Sequence, residues 1–166
     1  AGGTDIGASV DVTTRGTWFY VGGLATSGTL DYVVLRIETD GTLGLSGNPV
    51  KSFGTTSPGT DLISVGATDI GRFIDVRNSI MYVAGAAGAD LLYMRYARGA
   101  YLDTSFQTDG IYVNDLGATE NIFGAFRDAN DLNWFGDNGS DFLVALTDYD
   151  AAALDTAFHT DGWFTV

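Results

Sequence analysis

The chain has no cysteine, one lysine (Lys51), one histidine (His159), two prolines and only two glutamates among its 166 residues. Each scarcity closes a class of function. Without cysteine there is no disulfide framework, no thiolate nucleophile and no Cys-based zinc site. A single histidine makes any Ser-His-Asp triad depend on His159, and no nucleophile-elbow motif accompanies it. Scarce lysine and a formal net charge of −13 leave no basic patch to displace counterions, which argues against nucleic-acid binding. The same charge disfavours anionic membranes. No apolar run approaches the roughly 20 residues of a membrane helix, so membrane insertion is not expected.

What is present favours strands and turns. Glycine accounts for 23 residues and aspartate for 19 of the 21 acidic ones. Helix-rich proteins usually carry their acidic surface as Glu, whereas Asp, Gly and Thr suit turns and short strands. With 45% hydrophobic and 13% aromatic residues the chain is too apolar for a disordered acidic tail. Its length is that of one domain, spanning 1–166.

A repeat organises the chain. Asp90 to Asn114 reads DLLYMRYARGAYLDTSFQTDGIYVN, and Asp141 to Trp163 returns as DFLVALTDYDAAALDTAFHTDGW. A looser copy opens at Asp31 as DYVVLRIETDGTLG. Asp31 to Asp90 is 59 residues, Asp90 to Asp141 is 51, and Leu102 to Leu154 is 52. Periods of this length, with roughly four short strands each, approach a propeller blade. The expected units are 8–59, 60–114 and 115–166. In the first, 1–7 is a lead-in and Ala8–Val12, TWFYVGG and DYVVLRIET are strands, with a short edge strand near Val50–Phe53. In the second, Leu62–Val65 is an added or terminal strand, followed by GRFIDV, IMYVAG and DLLYMRYA. The third has NIFGAF, LNWFG and DFLVALTD. Ala151–Phe158 has helical propensity, but its sister GAYLDTSF reads as turn and strand, and the repeat decides for the latter. The terminal GWFTV is expected to complete a sheet with the N-terminal segment, in cis or across a subunit boundary.

These residues resemble the bacterial delta-60 repeat family, whose pattern is an apolar strand ending in Gly, an Asp-Phe-x-x-x-Arg-Tyr-like strand, and Gly-x-Leu-Asp-x-x-Phe-Gly-x-x-Gly. Asp90, Leu91, Arg95 and Tyr96, then Gly99, Leu102, Asp103, Thr104, Ser105, Phe106 and Gly110, occupy it in the second unit. Asp141, Phe142, Leu154, Asp155, Thr156, Phe158 and Gly162 do so in the third; Asp31, Tyr32, Arg36, Gly41, Leu43 and Phe53-Gly54 match loosely in the first. Gln107 and His159 stand where the family prefers Gly, and Leu146 replaces the Arg. The resemblance implies a β-propeller within large surface or secreted proteins, and no particular activity.

The fold expected is therefore all-β: three propeller-like blades of mostly four short antiparallel strands. Three blades fall short of the usual four to eight, so two chains sharing a six-bladed ring is one arrangement and a self-contained three-unit domain the other. Self-association with a dimer leading, or a protein partner completing the β assembly, follows from that shortfall.

Candidate sites are sparse. Asp128, Asn130, Asp131, Asp137 and Asp141 form an Asp/Asn loop with the hard oxygen donors calcium takes, without EF-hand order; calcium is the one cofactor considered. Trp134, Asp137, Asn138 and His159 are the ligand-binding candidates, an aromatic beside polar groups suiting a glycan. Asp31, Asp90, Asp141, Arg36, Arg95, Phe106, Phe158, Gly110 and Gly162 recur in register and read as structural, each Asp accepting turn amides and each Arg pairing toward the neighbouring unit. The expected function is a non-catalytic structural or recognition module of an extracellular, cell-surface or virion-surface assembly, acting through protein contacts. The alternatives are a glycan-binding lectin with repeated shallow sites and a hydrolase using paired Asp carboxylates.

Overall fold

The computed structural model describes residues 6–12, 18–26, 30–38, 40–41, 60–66, 68–78, 80–97, 101–117, 119–148 and 153–166. Among them the chain forms twelve strands and no helix. Strands β1 (Ile6–Val12), β2 (Trp18–Thr26), β3 (Leu30–Glu38) and β4 (Thr60–Ile63) make a first antiparallel sheet in chain order. A second holds β5 (Asp69–Arg77), β6 (Ile80–Ala87), β7 (Asp90–Tyr96) and β8 (Ile111–Asn114). The third holds β9 (Asn121–Arg127), β10 (Asp131–Asp137), β11 (Phe142–Asp148) and β12 (Trp163–Thr165). Three four-stranded meanders are a propeller-like arrangement, though they do not close into a ring.

Three details depart from the sequence reading. The first strand begins at Ile6, inside the expected lead-in. Thr60–Ile63 pairs with β3, so this segment closes the first sheet instead of opening the second. Trp163–Thr165 pairs with β11, and so completes its own sheet and not one shared with the N-terminal segment. The Val50–Phe53 strand, and with it Leu43, Gly54 and Gly99, lies outside the described residues.

The sheets stack face to back, and alternation decides which side chain meets which neighbour. In the second sheet Met81, Val83, Leu92, Met94 and Tyr96 join Tyr20, Tyr32 and Val34 of the first. Their alternates Tyr82, Ala84, Ala86, Leu91 and Tyr93 join Ile122, Leu132, Trp134, Leu143 and Ala145 of the third. Burial on both faces explains why β6 and β7 read as nearly unbroken apolar runs. β11 alternates buried and more exposed positions because only one face of the third sheet is covered. Each fully buried Leu or Met contributes about 1.5–3 kcal/mol of transfer free energy, so the two cores dominate stability.

The recurring tail is a packing device. Asp103 N donates to Arg95 O at 2.8 Å, and Asp155 N to Leu146 O at 2.9 Å. Arg95 N donates to Gly110 O at 2.9 Å, and Leu146 N to Gly162 O at 3.0 Å. Gly110 (φ 87°) and Gly162 (φ 75°) sit in the left-handed region, with Leu102 and Leu154 packed where a Cβ would go. Within Ala151–Phe158 the described residues form a bridge and a turn, with Thr147 facing Leu154 as Tyr96 faces Leu102.

Candidate metal centre

The links between sheets are short, and each carries a buried acid. At the first junction Asp69 is fully buried. Its Oδ2 accepts the Val65 amide at 2.6 Å and its Oδ1 the Gly66 amide at 2.9 Å. At the second junction the same position is Glu120, 1% exposed. Here the Gly117 amide, counterpart of Gly66, donates at 2.6 Å to Asp115 Oδ1 instead.

Both links also grip the turn between β6 and β7. Gly88 N donates to Thr68 O at 2.6 Å, and Glu120 N donates to Ala89 O at 2.7 Å. Asp90 opens the next strand immediately after that turn. The result is convergence: Asp90, Asp115 and Glu120 each place a carboxylate oxygen within 4.8 Å of the others. Calcium–oxygen bonds of about 2.3–2.6 Å put two ligands of one ion at most about 5 Å apart, so the cluster has the span of a single cation. A donor set of carboxylates alone, without nitrogen or sulfur, suits a hard ion such as calcium.

Glu120 also lines a cleft of ≈ 200 Å³ shared with Arg72, Asn121, Phe123 and Asp137. Arg72 and Phe123 are repeat-equivalent, each sitting at the β-bulge of its sheet's first strand. A bulge re-aims the extra side chain, and here both residues line the cleft, Phe123 at 56% exposure. Asn121 Nδ2 donates to Asp137 Oδ1 at 2.7 Å, and Gly139 N donates to the same oxygen at 2.8 Å. Those two bonds hold the Asp137 carboxyl below its ordinary range, the Asn121 amide being the larger cause.

No protein-family model matches the chain, and no curated protein or solved structure matches it.

The loop expected to hold calcium is divided by β10. Asp128, Asn130 and Asp131 lie at one end of that strand and Asp137, Asn138 and Asp141 at the other. Six residues of extended strand separate the ends by about 20 Å, so these carboxylates cannot share one ion. Each group caps its own turn. Asp128 Oδ1 accepts the Asn130 and Asp131 amides at 3.0 Å, and Asn138 Oδ1 accepts those of Ser140 at 3.2 Å and Asp141 at 2.8 Å. The backbone bonds push the Asp128 carboxyl down, while burial, with nearby carboxylates, pushes Asp131 up. That divergence sits in an exposed hairpin turn.

The ligand candidates also separate. Trp134 is 1% exposed, donates from Nε1 to Thr147 Oγ1 at 2.9 Å and meets Tyr93 edge-on, so it is core and not a sugar platform. Of the four, Asp137 lines the cleft. His159 is exposed and tilted against Phe164, 6.2 Å between ring centroids.

Among the structural candidates, Arg95 Nε donates to Asp103 Oδ2 at 2.9 Å within its own unit, with its guanidinium over Phe106. Arg36 lies 3.9 Å from Glu38 of its own strand. A charge pair that does cross units is Arg127 with Asp75, 3.1 Å apart. The recurring acids are not alike: Asp31 is buried, Asp90 joins the cluster and Asp141 is exposed. Asp115 and Glu120 were missed. The signal was Gly66-Ala67-Thr68-Asp69 returning as Gly117-Ala118-Thr119-Glu120, 51 residues on, the same interval that separates Asp90 from Asp141.

Proposed function

We propose that the chain is a non-catalytic recognition module whose second blade junction holds a calcium ion on Asp90, Asp115 and Glu120 and presents it to a glycan. The observation that carries this reading is convergence of the three carboxylates, of which Glu120 also lines a cleft with Asn121, Asp137, Arg72 and the exposed Phe123. Three carboxylates fill only part of calcium's six to eight oxygen positions, leaving the rest to water or to paired sugar hydroxyls. In the cleft beside Glu120, the hydrogen-bonded pair Asn121–Asp137 supplies further polar groups, and Phe123 an apolar face for a sugar ring. A cleft of ≈ 200 Å³ is small against the roughly 300–1,000 Å³ of sites that enclose a ligand, which favours contact with a sugar edge over hydrolysis. An all-β chain in three sheets fits the delta-60 resemblance, and with it an extracellular or surface setting, where calcium modules work with dissociation constants of about 10⁻⁴–10⁻³ M.

The test is calorimetric titration with CaCl₂, then glycan-array binding in calcium and in EDTA. Expected are one calcium per chain, loss of that binding in Asp115→Asn and Glu120→Gln, and calcium-dependent glycan retention that Phe123→Ala weakens. With calcium at a hundred times its Kd, linkage gives about 2.7 kcal/mol, a rise in Tm of about 5–10 °C for a chain this size. Absence of calcium binding up to about 10 mM sinks the reading, and release of new reducing ends from a bound glycan would replace it with a hydrolase.

A further inference from the structure

The two junctions inside the chain use one rule. The face of a sheet that carries Tyr32, Val34 and Arg36 in the first sheet, and Leu91 and Tyr93 in the second, is covered by the sheet that follows. In the third sheet these positions are Phe142, Val144 and Leu146. Around them stand Phe135 and Phe126, in register through Val144 and Asn133, and Phe164 opposite Val144. Phe126 is 56%, Phe142 48% and Phe135 37% exposed, three large apolar side chains on one face. The tail makes the same point. Phe106 is 2% exposed in the second sheet, against Tyr93, whereas its equivalent Phe158 is 38% exposed against Phe164. Apolar patches of this kind mark docking surfaces.

The complementary face is also on the chain. The second sheet meets the first through Val83, Leu92, Met94 and Tyr96. The same positions in the first sheet are Val21, Val33, Leu35 and Ile37, half-buried on its outer side, with Leu62 beside Val33. We propose that the outer face of the third sheet receives the outer face of the first sheet of a second copy of this chain. Two such junctions, related by a two-fold axis, close six blades, within the four to eight of known propellers. The occupant is argued from continuity: the junction that the chain builds twice internally is the one its two ends offer each other. With −13 on each copy, association strengthens as salt screens the repulsion.

Native mass spectrometry with sedimentation of the whole chain tests it, with circular dichroism confirming that each variant folds. The wild type is expected as two chains of 17.5 kDa each. Phe142→Asp blocks one face and Leu35→Lys the other, each raising the Kd about 30-fold or more. Val33→Lys replaces Leu35→Lys if the latter misfolds. Because each variant keeps the face the other lacks, mixing them restores a two-chain particle through one junction. Any mass other than two chains, or a two-chain particle that these variants leave intact, overturns the proposal. So does failure of the mixture to pair.

Discussion

The two blade junctions answer the same physical problem with different residues. At each, a link between sheets buries an acid beside the turn joining β6 and β7. At the first junction a short Asp69 turns back on its own link, and its two carboxylate oxygens each accept a backbone amide. At the second, Glu120 is one methylene longer, Asp115 stands where Ser64 stood and takes the link amide, and the acid joins Asp90. The first acid is held by amides of its own link, whereas the second belongs to a group of three carboxylates with the span of one cation. The apolar side of the junction shows the same freedom. Tyr32 fills the first core so fully that any Cβ on Gly71 would fall within its ring, and one on Gly22 would strike its hydroxyl. At the second junction the corresponding positions are Leu91 and Ile122, two mid-sized side chains sharing the space that one large ring and a glycine share.

The largest expected effect tests that apolar exchange. Gly71→Ile alone forces Tyr32 from a site with no exposed surface and should cost about 3–5 kcal/mol, or prevent folding. Tyr32→Leu alone leaves a cavity and should cost about 2–4 kcal/mol, reduced because the Tyr32 hydroxyl it removes is buried without a hydrogen-bond partner. The double variant copies the second junction into the first, so urea denaturation should show a loss well below the sum. Strict additivity would mean the two junctions are not interchangeable packing solutions.

The acidic exchange comes next. Asp69→Ala strands two link amides at a fully buried site and should cost about 2–3 kcal/mol, with or without calcium. Transplanting the first link into the second, as Asp115→Ser with Glu120→Asp, should make the chain's Tm indifferent to calcium while keeping its EDTA value. A transplant that still gains stability from calcium would move the metal off these carboxylates.

Much of this architecture was legible. Apolar runs recurring as DYVVLRIE, DLLYMRYA and DFLVALTD predicted strands, and the LDT-x-Phe register predicted the shared tail, because β pairing and left-handed glycines leave strong local marks. The unit boundaries and the site were less legible for a common reason. Strand pairing of Thr60–Ile63 is decided by β3, about 25 residues earlier, through tertiary contact that no local pattern records. Abundant Asp near Trp134 drew attention to turns where each carboxylate caps amides two or three residues on. The converging set instead comes from Asp90, Asp115 and Glu120, brought together only when one blade's link crosses the turn of the blade before it. The surviving trace was the GAT-acid repeat, which marked the link and not the charge count.

The smallest effect contrasts the tails of the second and third blades. Asp103 accepts the Ser105 hydroxyl at 2.6 Å and its amide at 3.0 Å, and pairs with Arg95 at 2.9 Å. The third blade keeps the turn, Asp155 Oδ1 accepting the Ala157 amide at 2.8 Å, but puts Ala157 and Leu146 where the hydroxyl and guanidinium were. The Ser105 hydroxyl, foremost, holds the Asp103 carboxyl below its ordinary value. A carboxyl depressed in the folded state stabilises fully above its unfolded value of about 3.9, and loses that contribution as pH falls through the lower folded value. Both side chains of the pair keep some exposure, so the contribution is at most about 1 kcal/mol. Asp103→Asn should therefore lower stability at pH 7 and bring the variant closer to wild type as the medium is acidified below about 4. Wild-type and variant denaturation curves that stay parallel down to about pH 2 would assign the turn's stability to its backbone bonds, which both blades share.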